Sequence, residues 1–193
     1  MTMRSITILT SLLLFAACAA DEPAVDDTAV TETAQDLPEP VVAESPTATA
    51  DVQDADGNQI GTLTLAAAGQ TIEISGMLHG LAPGTHAIHL HETGLCEPPF
   101  QSAGGHWNPT SHEHGSENPQ GPHLGDFLNF EVGADSMATV QVSSPVGATL
   151  QGANGLLDAD GAAVVVHAGP DDYRTNPSGD SGDRIACGVV TAI

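Results

Sequence analysis

The sequence predicts an all-β fold, an antiparallel β-sandwich or β-barrel with two long functional loops. Short runs alternate apolar and polar residues with period two, turn signals separate them, and no window carries a helical apolar stripe. The runs that predict strands are GTLTLAA, TIEISGML, THAIHLHE, FLNFEV, MATVQV, AAVVVHA and IACGVV. The segments DADGNQ and DADGA are hairpin turn signals.

The first 18 residues have the features of an export signal. MTMR is a short basic start, SITILTSLLLF is apolar but too short for a stable membrane span, and AAC ends at Cys18. This order is similar to a bacterial lipoprotein signal, in which Cys18 becomes the lipidated first residue. The alternative is cleavage near Ala20, which would discard Cys18. We favour the lipoprotein and expect a periplasmic or cell-envelope protein that is lipid-anchored to a membrane.

Residues 19–50 are rich in Ala, Thr, Pro and Val and contain eight Asp or Glu but no Lys or Arg. They lack aromatic residues and hydrophobic periodicity, so they cannot bury enough surface to fold. We interpret them as a disordered tether that the repulsion between its acids keeps extended. A tail that serves only as a spacer is the alternative, and the sequence does not separate the two. The folded domain is predicted to span residues 51–193.

Two stretches of the domain, residues 93–126 and 169–184, are long, rich in Gly, Pro and Asn, and nearly free of apolar periodicity. Loops of this length in a compact domain are usually functional or disordered. Lipidation of Cys18 would leave Cys96 and Cys187, an even pair in an exported protein, and such a pair usually forms a disulfide. The bond would close a loop of about ninety residues and stabilise the fold by about 4 kcal/mol. Two unrelated buried thiols are the alternative.

Histidines cluster in the sequence. His89 and His91 project to one side of a strand, because residues i and i+2 share a face, whereas His86 projects to the other. Taken singly, each histidine is most simply a solvated loop or edge residue. Taken together, six histidines and one Asp from two strands and a Gly-rich loop are typical of a site for copper or zinc, in which a carboxylate can complete the zinc set. The members of this set are His89, His91, His106, His114, His123, Asp126 and His167.

The pattern HLHE … GGHWNP … HEHG … HLGD … VVVHAGPDD … GDRIACGV resembles the copper/zinc superoxide dismutases, above all their bacterial periplasmic members. The resemblance covers about residues 51–193, hence the whole predicted domain. The spacings His89–His91, His106–His114, His114–His123 and His123–Asp126 match the metal-site spacing of that family. The resemblance implies a Greek-key sandwich or barrel of the immunoglobulin-like type.

The resemblance also implies a role for each residue. The copper ligands would be His89, His91, His106 and His167. The zinc ligands would be His106, His114, His123 and Asp126, so His106 would bridge the two metals. Asp171 would steady one copper ligand and one zinc ligand, Arg184 would orient the superoxide anion, and Cys96 and Cys187 would form the family's disulfide.

Three histidines stay outside this set. His86 matches a structural histidine of the family, and His79 is expected to be an ordinary surface residue. His112 lies two residues before His114 in the same loop and is the alternative zinc ligand, although the spacing favours His114.

The implied activity is that of a superoxide dismutase, which converts two superoxide ions and two protons to O2 and hydrogen peroxide by alternating Cu(II) and Cu(I). Superoxide is the expected substrate, and no nucleic-acid partner is expected. The protein should associate with a membrane through lipidated Cys18. It would be either a monomer or a homodimer. One alternative is a lipoprotein of the same fold that binds or buffers copper with little turnover, which loss of Arg184 or of a zinc ligand would favour; neither is lost. The complete ligand set also opposes a purely structural or adhesion module.

The charge of the chain departs from the family pattern. Residues 51–193 contain seventeen Asp or Glu and two Arg, which gives the domain a net charge near −15 before metals are added. The family often carries Lys near the mouth of its channel, whereas residues 169–184 offer only Arg174 and Arg184, and Asp183 directly precedes Arg184. We therefore expect long-range repulsion of superoxide and attraction only close to Arg184.

Overall fold

The computed structural model describes residues 47–193, which form an all-β domain as predicted. The predicted signal with Cys18, and the predicted linker as far as residue 46, lie outside the described residues. Within this part of the chain there is a single turn of 3-10 helix, Gln101–Ala103, and no α-helix. The nine strands are β1 Thr47–Asp54, β2 Gln59–Ala68, β3 Thr71–His79, β4 Gly84–His86, β5 Ile88–His91, β6 Phe130–Val132, β7 Met137–Ser143, β8 Ala163–His167 and β9 Arg184–Ala192.

Seven strands form one curled antiparallel sheet in the order β5-β8-β9-β1-β2-β3-β7. The short strands β4 and β6 pair with each other in a second sheet. Three long loops leave this framework: residues 92–129 between β5 and β6, residues 144–162 between β7 and β8, and residues 168–183 between β8 and β9. The first and the last correspond to the two predicted loops. No helix formed by residues 47–193 is long and apolar enough to cross a membrane.

The first strand, β1, begins four residues before the predicted domain boundary at residue 51. Its residues Ala48, Ala50 and Val52 are fully buried and alternate with more exposed neighbours, so the strand has the period-two pattern. The prediction assigned both alanines to the linker because small residues carry little hydrophobic signal. They are buried here because β1 lies between β2 and β9 and pairs with both.

The strand β1 was not among the predicted strands, and two of the predicted strands differ from the structure. THAIHLHE divides at Ala87, because β4 pairs with β6 whereas β5 pairs with β8 in the larger sheet. FLNFEV is a strand only from Phe130 onward. The preceding Asn129 bonds elsewhere, since its backbone N–H donates to the Tyr173 hydroxyl (2.9 Å) and its side-chain amide bonds both backbone groups of Asp171 (2.8 and 2.9 Å).

The core lies under the curled sheet and is built from the inward residues of the alternating strands. Leu63, Leu65, Ile72, Ile74 and Val140 are fully buried within it. The predicted disulfide is present: Cys96, in the loop after β5, is bonded to Cys187 in β9 across 91 residues of sequence. The loop that carries Cys96 is therefore attached to β9, an interior strand of the sheet.

Candidate metal centre

The loop after β5 returns twice to the edge of that strand and so brings distant histidines to it. The backbone of His106 forms an antiparallel β-bridge with that of His91, and the backbone of Asp126 forms one with that of His89. Between them the Trp107 N–H donates to the Leu90 carbonyl (2.8 Å), and the Leu90 N–H donates to the Gly125 carbonyl (3.0 Å). Backbone hydrogen bonds thus set the position of the loop residues beside the strand histidines.

Gly125 is required by this close approach. A Cβ at this position would lie 2.4 Å from the Leu90 carbonyl oxygen, which is closer than real Cβ atoms come to backbone, and a tight 3.1 Å from the Trp107 nitrogen. A larger residue would push the loop away from β5. The glycine of HLGD therefore has a packing role next to the predicted ligands His123 and Asp126.

Four buried histidines form a first cluster, in which one ring nitrogen from each lies within 4.8 Å of the others. Ring centroids lie 4.0 Å apart for His89 and His106 and 4.8 Å apart for His89 and His167. One nitrogen of each ring has no hydrogen-bond partner although it is buried: His89 Nδ1, His91 Nε2, His106 Nε2 and His167 Nε2. Buried polar atoms are nearly always paired, so four that meet at one point fit a bound metal ion.

A second cluster combines three histidines with Asp126. The Asp126 carboxylate lies 2.8 Å from His106 Nδ1, 3.1 Å from His114 Nδ1 and 3.1 Å from His123 Nδ1. The four ligand atoms again lie within 4.8 Å of one another, and all four residues are buried. Three imidazoles and one carboxylate are the donor set that a tetrahedral zinc ion takes.

His106 belongs to both clusters. Its Nδ1 faces Asp126 in the second cluster, whereas its Nε2 is one of the unpartnered nitrogens of the first. A deprotonated imidazole could therefore bind one metal ion through each nitrogen.

The Asp171 carboxylate connects the two clusters, because it contacts one histidine of each. Its Oδ2 lies 2.7 Å from His89 Nε2, and its Oδ1 lies 3.0 Å from His114 Nε2. These contacts hold the non-ligating nitrogen of one ring in each cluster, which fixes the tautomer and the ring orientation. Gly179 packs against this pair, since a Cβ there would lie 2.0 Å from Asp171 Oδ1 and 2.7 Å from His114 Nε2.

Arg184, at the start of β9, is held by the loop that carries Cys96. Its Nη1 donates to the Phe100 carbonyl and its Nη2 donates to the Gly104 carbonyl, both at 2.8 Å. The guanidinium lies near the first cluster, since the Gly104 carbonyl that it bonds also lies 3.1 Å from His91 Nδ1. Burial is the main cause that lowers the pKa values of His91 and His167, and the charge of Arg184 lowers them further. The side chain is partly exposed, so it is accessible to a small anion.

The protonation states of the first cluster match metal binding. Burial, together with the charge of neighbouring His106, lowers the pKa of His89 to about 3 and that of His167 to about 4. Burial acts against protonation of His114 as well, but hydrogen bonds to Asp126 and Asp171 outweigh it and raise its pKa to about 9. The first cluster is thus held as neutral imidazole, which is the form that binds metal.

The structure separates the three remaining histidines from the clusters. His112 is exposed, with its Nδ1 3.1 Å from the Pro122 carbonyl, whereas His114 lies in the second cluster. His86 is buried between the carbonyls of His167 and Ala82, both at 2.8 Å, and His79 is exposed on β3.

Ser181 is a residue that the sequence analysis did not identify. It is buried, and its Oγ lies 3.0 Å from His167 Nδ1 and donates to the Ser178 carbonyl (2.9 Å). The Gly182 carbonyl is a second, longer acceptor for the same nitrogen at 3.3 Å. A serine in a Gly- and Ser-rich loop carries no sequence signal for this role, because the contact depends on how the loop folds back over β8.

Comparison with known proteins decides the family. The family model of copper/zinc superoxide dismutase (SODC) matches residues 59–190. The chain belongs to the copper/zinc superoxide dismutase family. A superoxide dismutase [Cu-Zn] of Caulobacter vibrioides is 45% identical over 148 residues, which are 74% of this chain and 84% of that protein.

Solved structures of related proteins have the same fold. A SOD-like protein from Bacillus subtilis is 38% identical with a TM-score of 0.68, and the match covers 73% of this chain and 96% of that one. The Cu/Zn superoxide dismutase from Brucella abortus is 28% identical with a TM-score of 0.60, over 74% of this chain and 98% of that one.

Family membership, together with the two clusters, identifies the activity and the cofactors. The protein is a superoxide dismutase that uses copper and zinc and takes superoxide as its substrate. The predicted fold, function and cofactors are confirmed.

Proposed function

We propose that His89, His91, His106 and His167 hold the copper of this superoxide dismutase, and that His106, His114, His123 and Asp126 hold its zinc. The observation that carries this assignment is the position of His106, whose two ring nitrogens face the two clusters. When bound, copper supplies the one-electron acceptor and donor for two superoxide ions, and zinc supplies a fixed positive charge on the shared imidazole.

The residues of the chain have three tasks in this reaction. Arg184 attracts the anion and orients it, and the Phe100 and Gly104 carbonyls hold the guanidinium in place. His106 Nε2 takes up a proton and delivers it to the reduced oxygen species. Asp126 and Asp171 keep the rings in orientation throughout, so little reorganisation is needed between the two half-reactions.

The zinc assignment is tested by three substitutions in the same loop. Zinc content of purified, metal-loaded protein should fall in His123→Ala, while copper stays bound in an altered site. His112→Ala is the matched control, because His112 lies in that loop but outside the cluster. Zinc lost from His112→Ala but retained in His114→Ala would show that the loop is assigned in the wrong register.

We further propose that residues 1–18 are a lipoprotein signal, that residues 19–46 lead from the lipid to the domain, and that the enzyme is anchored to a membrane of the cell envelope. Cys18 directly after small residues supports the lipid, and the disulfide between Cys96 and Cys187 fits an oxidising compartment. The native protein should sediment with membranes, and Cys18→Ser should make it soluble. A soluble wild-type protein whose mature chain starts after Cys18 would contradict this proposal.

A further inference from the structure

Strands β3 and β7 carry three exposed side chains with nitrogen or sulfur donors, Met77, His79 and Met137. On β3 the fully buried Leu78 lies between Met77 and His79, so these two project from the outer face of the sheet. On β7 Met137 is exposed and the next residue, Ala138, is buried. All three side chains therefore share the solvent face of the sheet.

The strand register brings the three together. His79 lies directly opposite Met137. The next pair along the strands is hydrogen-bonded, since the Gly80 N–H donates to the Ser136 carbonyl (2.9 Å). Because hydrogen-bonded and non-hydrogen-bonded pairs alternate along antiparallel strands, His79 and Met137 form a non-hydrogen-bonded pair, in which the Cα atoms are only about 4.5 Å apart. Met77 lies diagonally across from Met137, at about 7–8 Å, a distance that long side chains span.

The methionine usage of the chain points to the same place. The chain has four methionines; two, Met1 and Met3, belong to the predicted signal, and the other two are Met77 and Met137. Both methionines of the domain are thus beside one exposed imidazole, with exposed fractions of 57% and 39%. A single exposed apolar side chain is ordinary, but two thioethers and an imidazole on one surface are a donor set.

We propose that Met77, His79 and Met137 form a surface site for monovalent copper, separate from the buried centre. Thioether sulfur selects Cu(I) over harder ions, and imidazole also suits copper. The Asp135 carboxylate, which accepts the Met137 N–H (3.2 Å), places a negative charge beside the site. In the strand order, β3 and β7 lie at one end of the sheet and β5 and β8, which carry three ligands of the buried cluster, at the other. An ion bound here would be a second copper ion of the enzyme.

The test adds Cu(I) to the full chain already loaded with copper and zinc, under anaerobic reducing conditions, in competition with a chromogenic Cu(I) chelator. The wild-type protein should bind one further Cu(I). Met77→Leu and Met137→Leu should each weaken that binding by at least about tenfold, because Leu keeps the apolar volume and removes the sulfur. Thr139→Val, on the same exposed face opposite Met77, is the matched control and should bind as the wild type does.

Carbon-13 labelling of the methionine methyl groups gives a second measurement. The resonances of Met77 and Met137 should shift on addition of Cu(I), and the dismutation rate per bound copper of the buried centre should be unchanged in the double leucine variant. Failure to take up an additional Cu(I), or the same uptake by the double variant, would overturn the site. Neither result would affect the dismutase assignment, because these residues do not contact the buried clusters.

Discussion

At the scale of single residues, the centre depends on side chains that hold the ligands as much as on the ligands. Ser181 shows this for the copper cluster. Its hydroxyl accepts the Nδ1–H of His167 and passes a hydrogen bond on to the Ser178 carbonyl. The Nε2 of that ring is then left with its lone pair directed into the cluster. Ser181 is therefore a positioning residue.

Ser181→Ala should weaken Cu(II) binding by about tenfold. This is at the low end of the loss of metal affinity that follows removal of a hydrogen-bond partner from a metal-binding histidine, because the longer contact of His167 to the Gly182 carbonyl remains. The Cu(II) electron paramagnetic resonance spectrum should change with it. Ser178→Ala is the control, since it keeps the carbonyl that Ser181 uses. Unchanged copper affinity and an unchanged spectrum in Ser181→Ala would show that Gly182 alone orients His167.

The buried histidines also predict how stability varies with pH once the metals have been removed by chelation. His89 and His167 have folded-state pKa values of about 3 and about 4, below the unfolded value near 6.5. The unfolded chain therefore binds more protons between these values, and stability falls as the pH drops from 6.5 toward 4. His114, with its pKa raised to about 9, has the opposite effect, and its stabilisation is lost as the pH rises from 6.5 to 9.

Urea unfolding of the metal-free protein at several pH values measures this. We expect the free energy of unfolding to be greatest near pH 6.5, with a decline on both sides. A stability that stays constant between pH 4 and pH 9 would contradict the assigned environments of these three rings.

The sequence predicts the ligand residues better than their supporting contacts. The spacing of His114, His123 and Asp126 is a local pattern, so it is visible without coordinates. Asp171 was found only because the resemblance supplied it. The role of Ser181 requires the path of residues 168–183 over β8, and no local pattern encodes that path.

At the scale of elements, the disulfide and the loop after β5 work together. Cys96 attaches this loop to β9, and the same loop provides the Phe100 and Gly104 carbonyls that hold Arg184. The loop also places His106 beside β5. One covalent bond thus supports both the stability of the fold and the position of Arg184.

Replacing both Cys96 and Cys187 with Ser should lower the free energy of unfolding by about 4 kcal/mol, because the bond closes a loop of about ninety residues. The dismutation rate per bound copper should also fall, since Arg184 loses its fixed acceptors. Urea unfolding and a rate measurement normalised to copper content separate the two effects. A variant that is less stable but equally fast per copper would show that the disulfide has no part in holding Arg184.

The strands were predicted where branched or large apolar residues alternate, as in β2 and β3. The strand β1 was not predicted, because its buried residues Ala48 and Ala50 resemble the composition of the preceding segment. The break at Ala87 was not predicted, since it is produced by the exchange of strand partners from β6 to β8, which depends on the tertiary fold.

At the scale of the whole molecule, the charge opposes the approach of the substrate. The net charge of the domain is near −15 before metals are added. Of its two arginines, Arg174 is paired with Glu117. Arg184 shares a surface depression with Asp54, Asp56 and Asp183. The guanidinium therefore acts on superoxide only at short range.

The dismutation rate constant should be flat or rise as the ionic strength increases from about 0.01 to about 0.15 M, because screening removes the long-range repulsion before the short-range attraction. Pulse radiolysis or stopped-flow measurement across that range tests this. Asp183→Asn should raise the rate at low salt more than Glu73→Gln, which removes the same charge from β3. A steep fall of the wild-type rate with salt would mean that Arg184 dominates the field at long range.

Two metals that share His106 are the central claim, and metal content measured on the same sample as the dismutation rate tests it most directly. The fully loaded wild-type protein should contain one copper and one zinc per chain, with a rate proportional to its copper. Fully loaded protein that is active but contains no zinc would contradict the claim, because His114, His123 and Asp126 would then hold no metal.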